Sequence, residues 1–138
     1  MHTSSLPRPT AGHVLAWAQL LRPANVATAM ADVLAGAAVA GSTLPLAPAV
    51  HWLLVATACL YAGGIVLNDV FDRALDATER PERPIPSGRI SAGAAGLAGA
   101  GLSLAGIAAA TQAGTTAALV AVAIVAAVLS YDTWGKHH

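Results

Sequence analysis

Charged residues are scarce in this sequence, and so is cysteine. Asp, Glu, Lys and Arg make up 10% of the 138 residues, whereas hydrophobic residues make up 56%. In a typical soluble domain about a quarter of the residues are charged, so this composition indicates a membrane protein. The chain has no overall basic patch, which argues against nucleic acid as a partner. The one cysteine, Cys59, cannot form an intramolecular disulfide and is interpreted as filler in an apolar run.

The charged residues that are present form one polar island. Most of them lie between residues 68 and 90, although the formal net charge of the chain is zero. The first part of the island, residues 68–76, reads NDVFDRALD. On a helix, Asn68, Asp72 and Asp76 would lie one turn apart on one face, with Asp69 beside them. Because like charges at this spacing repel each other, the face requires a cation against it.

This acidic face has two interpretations. The first is a solvated helix end, which is the less favourable one because carboxylates are disfavoured near a helix C-terminus. The second is a Mg²⁺ site, because Mg²⁺ prefers oxygen ligands and typically binds one or two carboxylates together with substrate phosphates. The arginines that follow the face suit a diphosphate headgroup that carries its metal.

The apolar stretches predict an all-α integral membrane bundle. We expect a polar N-terminal segment, residues 1–24, with a short interfacial helix, and a transmembrane helical domain over residues 25–138. All seven Lys and Arg lie outside the two short turns between spans. The positive-inside rule therefore places both termini and the acidic loop on the cytoplasmic side of the cytoplasmic membrane. The four predicted transmembrane helices are residues 25–42, 51–67, 91–111 and 115–130, of suitable length for a bilayer of ~30 Å.

Two features of these spans concern helix packing. Asp32 is either satisfied by a hydroxyl of a neighbouring helix or faces a polar cavity together with Asn25, seven positions earlier. Glycines in the third span predict a surface for close helix crossing. These are Gly93, Gly96, Gly99, Gly101 and Gly106.

Three motifs resemble those of the UbiA superfamily of intramembrane prenyltransferases. Residues 68–76, with the pattern NDxxDxxxD, resemble its first aspartate-rich motif. Residues 83–91, RPIPSGRIS, resemble the loop that follows, and residues 22–25, RPAN, resemble the start of the first span. The resemblance extends over nearly the whole chain, which corresponds to the N-terminal half of a UbiA-type fold.

The resemblance implies an enzyme that transfers a prenyl group from a polyprenyl diphosphate to an acceptor, with Mg²⁺ as cofactor. It also implies roles for individual residues, carried over by position. Asp72 and Asp76 would be catalytic, Asn25, Asn68 and Arg83 would bind substrate, and Asn68, Asp69, Asp72 and Asp76 would hold the metal.

The sequence also departs from the family pattern. The family fold has about twice as many spans and a second aspartate motif, for which Asp132 alone is no substitute. Activity of this chain by itself is therefore left open. The alternative is a non-catalytic membrane protein or split-enzyme subunit that keeps the fold and binds an isoprenoid diphosphate. A second helical half or a second copy of the chain would then be its partner.

Overall fold

The computed structural model describes residues 10–135, and every regular element in that range is helical. The predicted all-α class is thus confirmed for this part of the chain. A π-helical turn, Tyr131–Gly135, follows the last α-helix. The α-helices are α1 (Thr10–Leu21), α2 (Pro23–Val39), α3 (Pro48–Phe71), α4 (Arg73–Glu79), α5 (Ala92–Ala113) and α6 (Thr115–Ser130).

Local sequence explains where several helices begin. Helices α2 and α3 both start with proline, whose fixed φ and missing N–H suit the first helical position. The hydroxyl oxygen of Ser91 caps α5 by accepting a hydrogen bond from the backbone N–H of Ala94 at 3.1 Å. Between α4 and α5, residues 80–91 contain three prolines and form no helix, as the sequence predicts.

Three helical segments are long and apolar enough to cross a membrane, namely Pro48–Phe71, Ala92–Ala113 and Thr115–Trp134. Helix α2 has 17 residues, fewer than the ~20 that a bilayer core usually requires. The structure therefore supports three of the four predicted spans among the described residues. A membrane crossing by α2, the cytoplasmic orientation and the domain boundary after residue 24 stay predictions.

Helices α3 and α5 pack closely because glycines face the partner helix. A Cβ atom added to Gly106 would lie 2.7 Å from Cγ of Leu60, and one added to Gly99 would lie 2.8 Å from Cγ of Leu67. The predicted crossing surface is therefore confirmed for these two glycines. At Gly93, Gly96 and Gly101 an added Cβ would meet nothing within 4 Å in the described part of the chain, so a crossing surface there stays a prediction.

A small apolar cluster joins α1 to the loop between α4 and α5. Ala16 and Leu20 of α1 are buried together with Ile85 and Ile90 of the loop and Val66 of α3. This cluster fixes the N-terminal helix and the polar loop against the end of α3 that carries the acidic residues.

Candidate functional site

The acidic stretch extends over the end of α3 and the short helix α4. The prediction of one continuous helix over residues 68–76 is wrong, because α3 ends at Phe71 and α4 starts at Arg73. The break is slight, since the N–H of Asp72 still donates to the carbonyl of Asn68 at 2.9 Å. The side chains keep the predicted spacing of one turn. Nδ2 of Asn68 donates to Oδ2 of Asp72 at 3.2 Å.

Two of the carboxylates are buried and held by arginines. Asp69 is 5% exposed and Asp76 is 4% exposed. Nη1 of Arg83 lies 2.8 Å from Oδ2 of Asp76 and 3.5 Å from Oδ1 of Asp69, so a single nitrogen contacts both carboxylates. Nη2 of Arg22 lies 3.1 and 3.3 Å from the two oxygens of Asp69. Burial of a carboxylate is costly unless it is paired, and these arginines supply the pairing.

Arg22 reaches the site from the junction of α1 and α2. It lies in the left-handed region, with φ 50° and ψ 64°, which is uncommon for a residue other than glycine. Its carbonyl accepts hydrogen bonds from the N–H groups of Asn25 and Val26, so the junction is well ordered. The sequence analysis used Arg22 only as part of the RPAN motif and did not assign it to the site. That motif was the signal that could have indicated it.

Arg83 is positioned by the loop between α4 and α5. Its N–H donates to the carbonyl of Arg80, and its carbonyl accepts from the N–H of Ser87. Arg89 further along the loop donates to Oε1 of Gln19 on α1 at 2.7 Å and to the carbonyl of Glu82 at 2.8 Å. The loop is therefore tied both to itself and to α1.

An open groove of about 600 Å³ runs along α3 and α6 from the charged cluster. Its polar end contains Arg22, Asn68 and Asp132. The remaining lining is mostly apolar and consists of Thr57, Leu60, Tyr61, Gly64, Ile65, Ile124, Ala127, Val128 and Tyr131. The groove thus combines charge at one end with a long apolar wall.

Asp132 is a groove residue to which the sequence analysis gave no role. It is 4% exposed, in the π-helical turn after α6, and it lines the groove together with Asn68 of α3. Asp132 lies within the apolar segment Thr115–Trp134, where an ionisable residue is rare, and that was the available signal.

Asn25 and Asp32 lie apart from this cluster. Asn25 is exposed in the first turn of α2, one turn beyond Arg22. Asp32 is exposed in the middle of the same helix. Neither residue lines the groove beside Asn68. A substrate contact by Asn25 therefore stays a prediction, and Arg22 is the residue of this region that reaches the carboxylates.

The chemistry of the acidic stretch fits Mg²⁺, although the side chains do not form a closed cage. In the part of the chain that the structure describes, no three His, Cys, Asp or Glu side chains converge to hold a metal ion. Mg²⁺ does not require such a cage, because it usually binds one or two carboxylates, waters and substrate phosphates. Asp69 and Asp76 already share one positively charged group, Nη1 of Arg83. The fit is therefore one of donor type, because carboxylate oxygens are ligands that Mg²⁺ prefers.

Helices able to cross a membrane indicate an integral membrane protein, and the groove beside them is charged at one end and apolar along its length. Residues 29–138 match the UbiA prenyltransferase family, and the chain belongs to that family. The resemblance found in the acidic stretch is thereby confirmed.

Curated relatives of the chain are archaeal digeranylgeranylglyceryl phosphate synthases. The one from Methanopyrus kandleri is 43% identical over 76 residues, which make up 55% of this chain and 27% of the relative. The one from Methanoculleus marisnigri is 44% identical over 82 residues, 59% of this chain and 29% of the relative. The match thus spans little more than a quarter of each relative. No solved structure matches the chain.

Proposed function

We propose that this chain binds a polyprenyl diphosphate and takes part in transferring its prenyl group to an acceptor, in a Mg²⁺-dependent reaction. The observation that carries the proposal is the paired charge cluster at one end of the apolar groove. Arg22 belongs to both, because it binds Asp69 and also lines the groove. A diphosphate at the cluster would thus continue directly into a prenyl chain in the groove.

The arginines suit the headgroup of this donor. Guanidinium groups form strong, charge-assisted hydrogen bonds to phosphate oxygens. Arg22 and Arg83 contact the same buried carboxylate, Asp69, from segments that precede and follow it in the sequence. They can therefore bind one headgroup between them. We keep Asn25 as a further proposed contact from the first turn of α2.

The reaction breaks the bond between the first prenyl carbon and the diphosphate oxygen, and the electron pair leaves with the diphosphate. The arginines stabilise the negative charge that develops on that leaving group. Mg²⁺ would supply further charge stabilisation there, held by Asn68, Asp69, Asp72 and Asp76. Apolar groove residues such as Leu60 and Ile124 exclude water from the electron-deficient carbon.

The names of the relatives support a class of acceptor. Digeranylgeranylglyceryl phosphate carries two prenyl chains on one glyceryl phosphate. We therefore propose that the acceptor is a glyceryl phosphate lipid that already bears one prenyl chain. A hydroxyl oxygen of this lipid forms the new bond to the prenyl carbon of the donor and loses its proton.

A role as a binding subunit is the second candidate. It is favoured by the geometry of the acidic stretch, because among the described residues no three His, Cys, Asp or Glu side chains converge to hold a metal ion. In that case the chain would bind the donor, and a second helical half or a second copy would complete the catalytic site.

A binding measurement followed by a transfer measurement tests both candidates. We expect geranylgeranyl diphosphate to bind the detergent-purified chain only when Mg²⁺ is present. The double substitution Asp72→Asn and Asp76→Asn should abolish this binding, while Glu79→Gln, at the exposed end of α4, should not change it. Transfer from labelled donor to the lipid acceptor would identify an enzyme, and binding without transfer would identify a subunit. Absence of binding under all conditions would contradict both.

A further inference from the structure

The buried carboxylates and the two arginines of the site form a self-neutralised cluster. Arg83 bridges Asp69 and Asp76, and Arg22 binds both oxygens of Asp69. Two positive groups thus balance two negative groups. These four side chains are among those that the proposed function needs for its two ligands, the arginines for the diphosphate and the carboxylates for the metal.

Neither ligand can enter this cluster alone without disturbing its charge balance. A divalent cation at Asp69 and Asp76 would have to displace Arg83 or lie next to it, and like charges at that distance repel each other strongly. A diphosphate without metal would draw the arginines away and leave two carboxylates, each at most 5% exposed, without their counter-ions.

The two ligands together allow an exchange of partners. With both ligands present, the arginines would bind the phosphate oxygens, and Asp69 and Asp76 would hold the cation, which would supply the positive charge that the arginines had provided. Every buried charge then keeps a partner of opposite sign, which neither ligand achieves separately. This exchange requires only rotation of side chains, and those of Arg22 and Arg83 are 36% and 23% exposed.

Resting on the proposed function, we propose that Arg83, assisted by Arg22, makes the site selective for the metal–diphosphate complex. In the ligand-free chain Arg83 excludes a free divalent cation from Asp69 and Asp76. In the liganded chain it binds the diphosphate. Because coupling between two ligands is reciprocal, each ligand must raise the affinity of the site for the other.

Substitution of Arg83 separates these two roles, because they predict effects of opposite sign. We would measure binding of Mn²⁺ alone to the detergent-purified chain by electron paramagnetic resonance. We expect Arg83→Gln to bind Mn²⁺ at least about tenfold more tightly than the wild type, since an adjacent unit charge near a protein surface is worth more than that factor. In the presence of a fixed Mg²⁺ concentration, the same variant should bind geranylgeranyl diphosphate about tenfold less tightly, from loss of a charge-assisted hydrogen bond.

Arg80→Gln is the matched control, because Arg80 lies in the same loop and is exposed. It should leave both affinities at their wild-type values. Thermal unfolding in detergent shows whether Arg83→Gln folds. If it does not fold, Arg22→Gln is the second variant. It should change both affinities in the same directions as Arg83→Gln.

The possible results distinguish this inference from the proposed function. Weaker donor binding with unchanged or weaker Mn²⁺ binding would overturn the exclusion of metal by Arg83 while leaving the donor site in place. Tighter Mn²⁺ binding with unchanged donor binding would overturn the exchange of partners. Failure of the wild-type chain to bind donor with Mg²⁺ would overturn the proposed function itself. Only the combination of tighter Mn²⁺ binding and weaker donor binding supports the inference.

Discussion

Asp69 connects the three parts of the chain that build the site. It lies in the last turns of α3 and binds Arg22 from the junction of α1 and α2 and Arg83 from the loop after α4. These partners are 47 and 14 residues away in the sequence. Removal of this buried carboxylate would leave Arg22 and Arg83 without that partner, so its loss should destabilise the fold.

We therefore predict that Asp69→Asn lowers the free energy of unfolding by about 2 kcal/mol. This value lies below the ~3–5 kcal/mol for breaking a fully buried pair, because both arginines are partly exposed and screened by solvent. Unfolding in detergent with increasing dodecyl sulfate would measure it. Glu79→Gln, at an exposed position, should change stability by no more than about 0.5 kcal/mol. Equal effects of the two substitutions would show that the ion pairs of Asp69 do not stabilise the fold.

The sequence predicted the residues of the acidic stretch better than their partners. The spacing of Asn68 and Asp72 follows from helix geometry alone, and their hydrogen bond bears it out. The contact of Arg22 with Asp69 could not be derived in this way, because it depends on how α1 and α2 meet at a left-handed residue. Local periodicity carries no information about such a junction.

At the scale of the helices, the glycines of α5 separate into two kinds. Gly99 and Gly106 are seven residues apart and face α3, where a methyl group would approach Leu67 or Leu60 closer than 3.0 Å. Gly101 lies on the same helix with open space around its Cα. Composition alone does not distinguish these positions, which is why the sequence analysis assigned all five glycines to the crossing surface.

Substitution by alanine should therefore have opposite effects at the two kinds of position. We predict that Gly106→Ala destabilises the protein by about 1–3 kcal/mol through overpacking against α3. Gly101→Ala should stabilise it by about 0.5–1 kcal/mol, because alanine is the better helix former. Thermal unfolding of both variants in the same detergent gives the comparison. Stabilisation by both substitutions would mean that α3 and α5 separate easily enough to admit the methyl group.

A side-chain hydrogen bond and apolar packing both hold the loop between α4 and α5 to α1. Nη1 of Arg89 donates to Oε1 of Gln19, 70 residues away in the sequence. The buried side chains of Ile85 and Ile90 pack against α1 in the same region. Because Arg83 lies in this loop, its contact with Asp69 depends on the position of α1.

We predict that Arg89→Ala loosens the loop without unfolding the bundle. Hydrogen exchange should become faster at the amides that donate backbone hydrogen bonds within the loop, those of Arg83, Ser87, Gly88 and Ile90. A double-mutant cycle with Gln19→Ala should give a coupling energy of about 0.5–1.5 kcal/mol, the range for one hydrogen bond between side chains. Arg80→Ala, at an exposed loop position, serves as the control. A coupling energy near zero would show that Ile85 and Ile90 alone hold the loop.

For the molecule as a whole, the sequence predicted the class but not the shape of the site. Long apolar stretches and the clustered charges indicated a helical membrane protein, and the structure has three helices that could span a bilayer. The groove could not be derived, because it is lined by α3 and α6 together with Arg22 and Asp132, which are far apart in the sequence. It results from the packing of α3 and α6 around α5, and this packing depends on which glycines face inward.

The extent of the groove leads to a prediction about the path of a bound prenyl chain. Its lining on α3 extends from Asn68 back to Thr57, a distance of about 16 Å at 1.5 Å per residue. Gly64 lies between these ends, and a Cβ added there would be 3.9 Å from Cγ2 of Val128, an ordinary contact. A larger side chain at this position fits the helix but projects into the groove. It should therefore obstruct a long prenyl chain while sparing the headgroup.

We predict that Gly64→Leu weakens Mg²⁺-dependent binding of geranylgeranyl diphosphate by about tenfold or more. Loss of contact with two or three methylene groups, at ~0.8 kcal/mol each, is sufficient for that factor. Binding of inorganic diphosphate, which occupies only the charged end, should stay within about twofold of the wild type, because contributions of groups that do not touch usually add within about 0.3–0.5 kcal/mol. Gly101→Leu, at a position with open space around it, controls for the added side chain. Equal weakening of both ligands would mean that the substitution disturbs the charged cluster, and the groove would then not be the path of the prenyl chain.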